Sequence, residues 1–234
     1  MKVGIMQPYL FPYMGYFQLI NAVDTFVVYD AIKYTKKGWI NRNRILQNGK
    51  PVYFTLPLKK DSDYLYINQR YVAEKELKNK KQILMKIAGA YKKAPHFDAI
   101  FPLMESVFLY EANNLFEFLY NSLCRIISFL EIKTEIVISS TLKIEEDLKS
   151  QDKVLAICNI LNANQYLNPI GGIELYDQKE FLSNGIDLFF IKSKDIKYPQ
   201  FDNNFVPALS IIDVLMFNSK STIQMYLEAY SLQK

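Results

Sequence analysis

Histidine is almost missing from this chain: His96 is the only one among 234 residues, and cysteine occurs twice, as Cys124 and Cys158. A His/Cys metal site therefore lacks its ligands, no metal is expected, and a Ser-His-Asp triad would rest entirely on His96, which beside Pro95 reads as a cap or surface residue. The two cysteines form no C-x-x-C pair, fall in helical patterns and read as buried reduced thiols. Charge of one sign is also lacking. The formal net charge is +4, with lysines spread among acidic residues, so nucleic acid is not an expected partner. No run reaches the roughly 18 to 20 uncharged apolar residues that a membrane span needs. The longest apolar-rich region, Asn114 to Leu130, carries Glu117 and Arg125 and reads as a buried helix. The opening MKVGIMQP has one lysine and a strand-like run broken at Pro8, which does not read as a signal peptide, so a cytoplasmic location is expected.

What the chain has is apolar residues, 50% of the total, enough to bury a sizeable core. KVGIMQP reads as a strand, Gly15 to Ala22 as a helix and TFVVYD (25–30) as a second strand, a βαβ unit that favours a parallel sheet. AIKYTKKGWINRNRILQ has no clean period and reads as a loop until NG and KP mark a turn. Helical patterns fill about 74–130, with Pro95 and Pro102 breaking or opening helices and Asn113-Asn114 capping the last. Strands then alternate with helices: EIVISS, a helix over 150–163, QYLNP, a glycine turn, QKEFLSNG as helix, IDLFFIK, and two final helices beginning with LSIIDVLMFNS. The fold class expected is α/β, a three-layer Rossmann-like, mostly parallel sheet forming a single domain over 1–234 with a helical insertion at about 74–130.

In such sheets ligands bind outside the carboxyl ends of the strands. The loops expected there are QPYLFPYMGY, DAIKYTKKGWINRNR, SSTLK and NPIGGIELY. In the first, prolines fix φ and Gly15 permits close backbone approach, so the turn is either a rigid shelf presenting a ligand to the following helix or a tight turn whose aromatics fill the core. Arg42 and Arg44, at i, i+2, can share one side of an extended segment and bind phosphate or carboxylate, or simply form surface salt bridges. Gly171-Gly172 is either an anion-admitting turn or a plain one. Asp30 ends a buried strand where an acid, a base or a cap would sit. Ser210 reads as a helix N-cap and Asp213 as a first-turn carboxylate favoured by the helix dipole.

Four separated blocks, "MQPYLFPYMGYFQLINAVDTFVVYD", "GWINRNRIL", "YLNPIGGIELYD" and "FVPALSIIDVLMFNS", resemble the WbqC-like family along nearly the whole chain. The resemblance implies a place in bacterial surface-polysaccharide (O-antigen, lipopolysaccharide) biosynthesis, with a role as a glycine or other acyl transferase acting on an amino sugar; it assigns no catalytic residue. The strand-turn-helix opening is also similar, more distantly, to nucleotidyltransferases and adenylate-forming amide ligases such as pantothenate synthetase. Tyr13 and Tyr16 stand where their signature histidines fall, a replacement that suits nucleotide binding better than adenylyl transfer. The function expected is amide formation on a nucleotide-linked amino sugar, with ATP or an activated acyl compound as donor and a second copy of the chain as an open partner. Arg42 and Arg44 would clamp phosphates, Gly15, Gly171 and Gly172 admit them, and Trp39 or Tyr16 stack on a ring. Gln7, Tyr13, Asn41, Asn168 and Ser210 complete the binding set, and Asp30 is the base candidate. The alternatives are a non-catalytic sugar-nucleotide-binding or assembly module, and an adenylate-forming enzyme.

Overall fold

The computed structural model describes residues 1–74, 76–145, 147–148, 150–201 and 204–234. Strand β1 (Lys2–Met6) leads into helix α1 (Met14–Asn21) and strand β2 (Thr25–Val28). A hairpin of β3 (Arg42–Gln47) and β4 (Lys50–Thr55) follows, then helices α2 (Glu76–Tyr91), α3 (Phe97–Phe108) and α4 (Leu115–Leu130). Next come β5 (Glu135–Ile138), α5 (Ser150–Ile160), β6 (Gln165–Pro169), α6 (Gln178–Ser183), β7 (Asp187–Ser193), α7 (Ile211–Phe217), α8 (Lys220–Leu227) and β8 (Tyr230–Gln233). Six strands form one sheet in the order β5-β2-β1-β6-β7-β8, parallel except for β8 against β7, and the hairpin stands apart as a two-stranded sheet.

The sheet is buried on both faces, which its period-two alternation predicts. Val3, Ile5, Val27, Tyr166, Leu188 and Phe190 point to one face, where they meet Val154, Leu155, Ile157 and Cys158 of α5 and Phe181 of α6. Phe26, Val28, Leu167 and Ile191 point to the other, into a larger cluster that includes residues of α1, α2, α3, α4, α7, α8 and the hairpin. The fold is thus a three-layer, Rossmann-like α/β arrangement. The chain steps outward from β1 to β2 and β5, then returns to β6 on the other side of β1, so the strand order reverses between β1 and β6.

Three local readings change. Residues 42–47, expected as loop, are β3, turned into β4 by Asn48 and Gly49 with φ of 52° and 71°, the type I′ pattern of a two-residue hairpin. The strand hid because its core-facing residues include Asn43, whose amide is buried for hydrogen bonding rather than for apolar contact. Pro102 lies inside α3 rather than at its end. It sits on the exposed side, where solvent can hydrate the carbonyl its missing N–H leaves unpaired. Strand β8, a short and mostly exposed edge strand, carried no legible pattern.

Candidate functional site

Helix α1 begins only after a seven-residue turn, Gln7 to Tyr13, whose backbone is held from outside. Phe11 adopts a left-handed φ of 45°, unusual for a bulky residue. Asn43 Nδ2 donates to the carbonyls of Leu10 (3.0 Å) and Phe11 (2.8 Å), and Ser210 Oγ donates to Phe11 O (2.8 Å), which together fix that conformation. The Leu10 and Phe11 side chains are wholly buried, and the Phe11 ring stacks on Phe108 at 5.2 Å. The aromatics of this turn therefore fill the core, and Tyr13 is left at the surface, 45% exposed.

At the carboxyl edge of β1 and β2 the sequence-predicted residues are deeply engaged. Tyr16 is buried and donates its hydroxyl to Gln7 O at 2.9 Å, so its ring is closed to a ligand; burial first, then Tyr9, holds that phenol well above its ordinary range. Tyr13 has no capping hydrogen bond, and its ring lies where a Gly15 side chain would be, with Tyr13 carbons and oxygen 2.5–2.6 Å from an added Cβ. Gly15 makes room, and Tyr13 occupies it. Asp30, 1% exposed, accepts four hydrogen bonds: Ser139 Oγ (2.7 Å) and Ser140 N (2.9 Å) on Oδ1, Ser140 Oγ (2.7 Å) and Asn68 Nδ2 (2.8 Å) on Oδ2. These are all the in-plane lone pairs a carboxylate has. Asp30 ties the end of β2 to the turn after β5 and to the segment 67–69, and it has no lone pair left for a substrate proton. The neighbouring Tyr29 phenol is pushed up to about 12, first by burial and then by Tyr66 and Tyr176.

Beyond β6 the pattern repeats. Asn168 Nδ2 donates to Tyr166 Oη at 2.7 Å, and its Oδ1 sits 2.2 Å from the place a Gly172 Cβ would take. Gly171 is exposed with open space above it. Asn41 is engaged on both sides, accepting from Tyr34 Oη (2.9 Å) and donating to Leu56 O (2.9 Å). Ser210 caps α7, accepting from Ile212 N at 3.3 Å as expected, besides its bond to Phe11.

The hairpin does gather its candidates. Arg42 and Arg44 lie on one side of β3, Arg44 opposite Tyr53 of β4. Trp39 stacks on Tyr53, with centroids 6.2 Å apart and planes 19° from parallel. The Arg44 guanidinium lies over Trp39 at 5.4 Å and that of Arg42 over Tyr53 at 4.9 Å. Both rings remain open, Trp39 at 38% and Tyr53 at 46% exposure. Arg42 donates to the carbonyls of Gly38 (3.1 Å) and Lys37, and Arg44 to that of Ala208 (2.9 Å). Among the described residues neither guanidinium has a carboxylate partner, and Arg44 Nε–H finds no acceptor. Tyr53 escaped the sequence reading because it lies across the strand, nine residues from Arg44, and only a recognised hairpin would have paired them.

A cleft of about 670 Å³ opens beside the hairpin, between Tyr13 and Met14 at the start of α1, the segment 193–198 after β7 and the segment 205–209. Its walls are fixed by Asp213, buried in the first turn of α7. Asp213 Oδ1 accepts from Tyr198 Oη (2.7 Å) and Gln200 Nε2 (2.6 Å), and Oδ2 from Tyr91 Oη (2.8 Å). Tyr91 in turn accepts from Leu46 N (2.9 Å), and Gln200 Oε1 accepts from Val206 N (2.7 Å). Burial among neutral donors holds the Asp213 carboxyl above its ordinary value, a rise these hydrogen bonds partly offset. The helix-dipole reading of Asp213 was thus incomplete: the partners that bury it are far away in sequence.

Carboxyl-edge loops, two guanidiniums that have no carboxylate partner among the described residues, and an adjoining cleft are thus carried on a Rossmann-like α/β fold. Residues 7–225 match the WbqC-like protein family, and the chain belongs to that family. It is 28% identical over 223 residues to an uncharacterized protein of Mycobacterium tuberculosis, covering 93% of each chain. No solved structure matches it. Among the described residues no helix is long and apolar enough to cross a membrane.

Proposed function

We propose that this protein is a transferase that forms an amide on a nucleotide-linked amino sugar, in the assembly of a bacterial surface polysaccharide. The observation that carries the reading is the hairpin face. Two guanidiniums without carboxylate partners among the described residues flank two exposed rings, an arrangement that suits a diphosphate beside a planar base. In the reaction the sugar amine attacks the acyl carbonyl carbon and the C–N bond forms. The bond from that carbon to the carrier's oxygen or sulfur breaks, the carrier leaves with the electron pair, and the proton lost by nitrogen ends on the carrier or solvent. Asp30 in this scheme positions the edge of β2 and β5; its filled lone pairs leave proton removal to another group or to water.

Thermal melts with UDP-, dTDP- and GDP-linked amino sugars test the reading. A ligand at about 100 times its dissociation constant adds about 2.7 kcal/mol, which at roughly 2 to 4 °C per kcal/mol is readily measured. The shift should vanish in the Arg42→Ala, Arg44→Ala double variant. No shift with any of the sugars in the parent protein would sink the proposal. The saturation of Asp30 favours a second reading, a binding or assembly module without chemistry. Mass spectrometry of the sugar after incubation with acyl donors separates the two, since only the transferase yields an amide.

A further inference from the structure

The cleft beside the hairpin is not used by the nucleotide-binding face, and its chemistry is different. Met14, Ile196, Phe205, Leu209 and Val214 make its walls largely apolar, while Lys194 and Lys197 stand exposed along it against one carboxylate, Asp195. The Tyr198 wall is held to Asp213 at 2.7 Å and its ring meets Phe205 edge-on at 5.1 Å, so the apolar surface is fixed before any ligand arrives. A volume of about 670 Å³ falls within the range of small-molecule sites. The wall 207–209 is shared with the hairpin, because Ala208, in a left-handed φ of 54°, gives its carbonyl to Arg44. The hairpin face and the cleft, unlike in chemistry, thus meet at one residue of strained backbone, Ala208.

We infer that this cleft is the donor site: it holds an aliphatic acyl group against its apolar walls, with the phosphate of the acyl carrier at Lys194 and Lys197. The inference rests on the transferase reading for the word donor. The binding claim itself, an apolar body with an anionic head, rests on the cleft alone. Two carriers share that chemistry, a coenzyme A thioester and an acyl adenylate.

Calorimetric titration of the full chain with coenzyme A, butyryl-coenzyme A and a non-hydrolysable butyryl adenylate mimic tests it. At least one butyryl compound should bind, and whichever binds more tightly identifies the carrier. Each methylene buried against the walls should tighten binding about fourfold, so butyryl-coenzyme A should exceed coenzyme A clearly if the thioester is the donor. Lys194→Ala with Lys197→Ala, both at exposed positions, should weaken the bound compound at least tenfold. Arg42→Ala, which leaves the Arg44 bond to Ala208 in the cleft wall intact, should change it less than twofold while weakening nucleotide-sugar binding. Failure of both butyryl compounds to bind, or loss through Arg42 rather than through the lysine pair, would overturn the donor site. Nucleotide-sugar binding, titrated separately, stands or falls independently of either result.

Discussion

The Asp30 cluster and the hairpin face both follow from strand ends or turns that the sequence marks as polar, yet they differ in what remains unused. Around Asp30 every lone pair of the carboxylate is taken by a serine, an asparagine or a backbone N–H of the same chain. On the hairpin two guanidiniums rest on aromatic rings and backbone carbonyls, with no counter-charge among the described residues. A closed polar cluster stabilises a fold, and an open one is available to a ligand. Residue type alone separates them poorly: an aspartate at the end of a buried strand suggests chemistry, and an arginine on an exposed strand suggests an ordinary surface.

The largest test of this contrast is deletion of the closed cluster's centre. Asp30→Ala leaves the donors of Ser139, Ser140 and Asn68 without their acceptor, which should cost about 3 kcal/mol or more and lower Tm by roughly 6 to 12 °C. Arg42→Ala or Arg44→Ala removes a partly exposed cation–π contact worth about 0.5 to 1 kcal/mol and should hardly move Tm. Urea denaturation of the three variants measures both sides. Equal losses for Asp30 and the arginines would erase the distinction.

A subtler comparison lies in two glycines that crowd a neighbour's side chain. An alanine Cβ at position 172 would meet Asn168 Oδ1 at 2.2 Å, and Asn168 is buried and bonded to Tyr166. Gly172→Ala should therefore cost about 1 to 3 kcal/mol. At position 15 the Cβ would meet the Tyr13 ring at 2.5 Å, a closer shave than van der Waals contact allows, but that ring is 45% exposed and makes no capping bond. The ring can swing away, and alanine in a helix gains up to about 1 kcal/mol over glycine, so Gly15→Ala should be nearly neutral. Thermal melts that rank the two variants the other way would mean that Tyr13 is pinned and Asn168 free.

The sheet was legible because its strands are short apolar runs separated by helical periods, and the order of strand and helix from β1 to α1 to β2 and from β5 to β7 follows from that alternation. The cap at Asn114 was legible as well, since Asn-Asn precedes an apolar run and its Oδ1 does accept from Phe116 N at 2.8 Å. Strand β3 was not, because Asn43 takes a core-facing position to hold the carbonyls of Leu10 and Phe11. The i, i+2 spacing of Arg42 and Arg44 correctly implied one shared side, whereas Tyr53 needed the register of the hairpin. Tyr16 and Asn41 look like ligand contacts in one dimension; only the packed chain reveals Gln7 O, Tyr34 and Leu56 as their partners.

The smallest expected effect concerns the other buried carboxylate. Asp213 accepts three side-chain hydrogen bonds, from two phenols and an amide, and burial raises its folded pKa above the ordinary 3.8. Between those two values the folded protein holds a proton that the unfolded chain has released. The stability this group contributes is therefore fully present below about pH 3.8, falls as pH rises through the raised folded value and is flat beyond it, with a slope of at most about 1.4 kcal/mol per pH unit. Asp213→Asn removes the titration while keeping an acceptor for the phenols. The stability of the parent minus that of the variant, measured by urea denaturation from pH 3.5 to 7, should accordingly decline and then level off. A difference that rises with pH would mean that the three donors outweigh burial and keep Asp213 ionised, making it a stronger version of the Asp30 cluster rather than its counterpart.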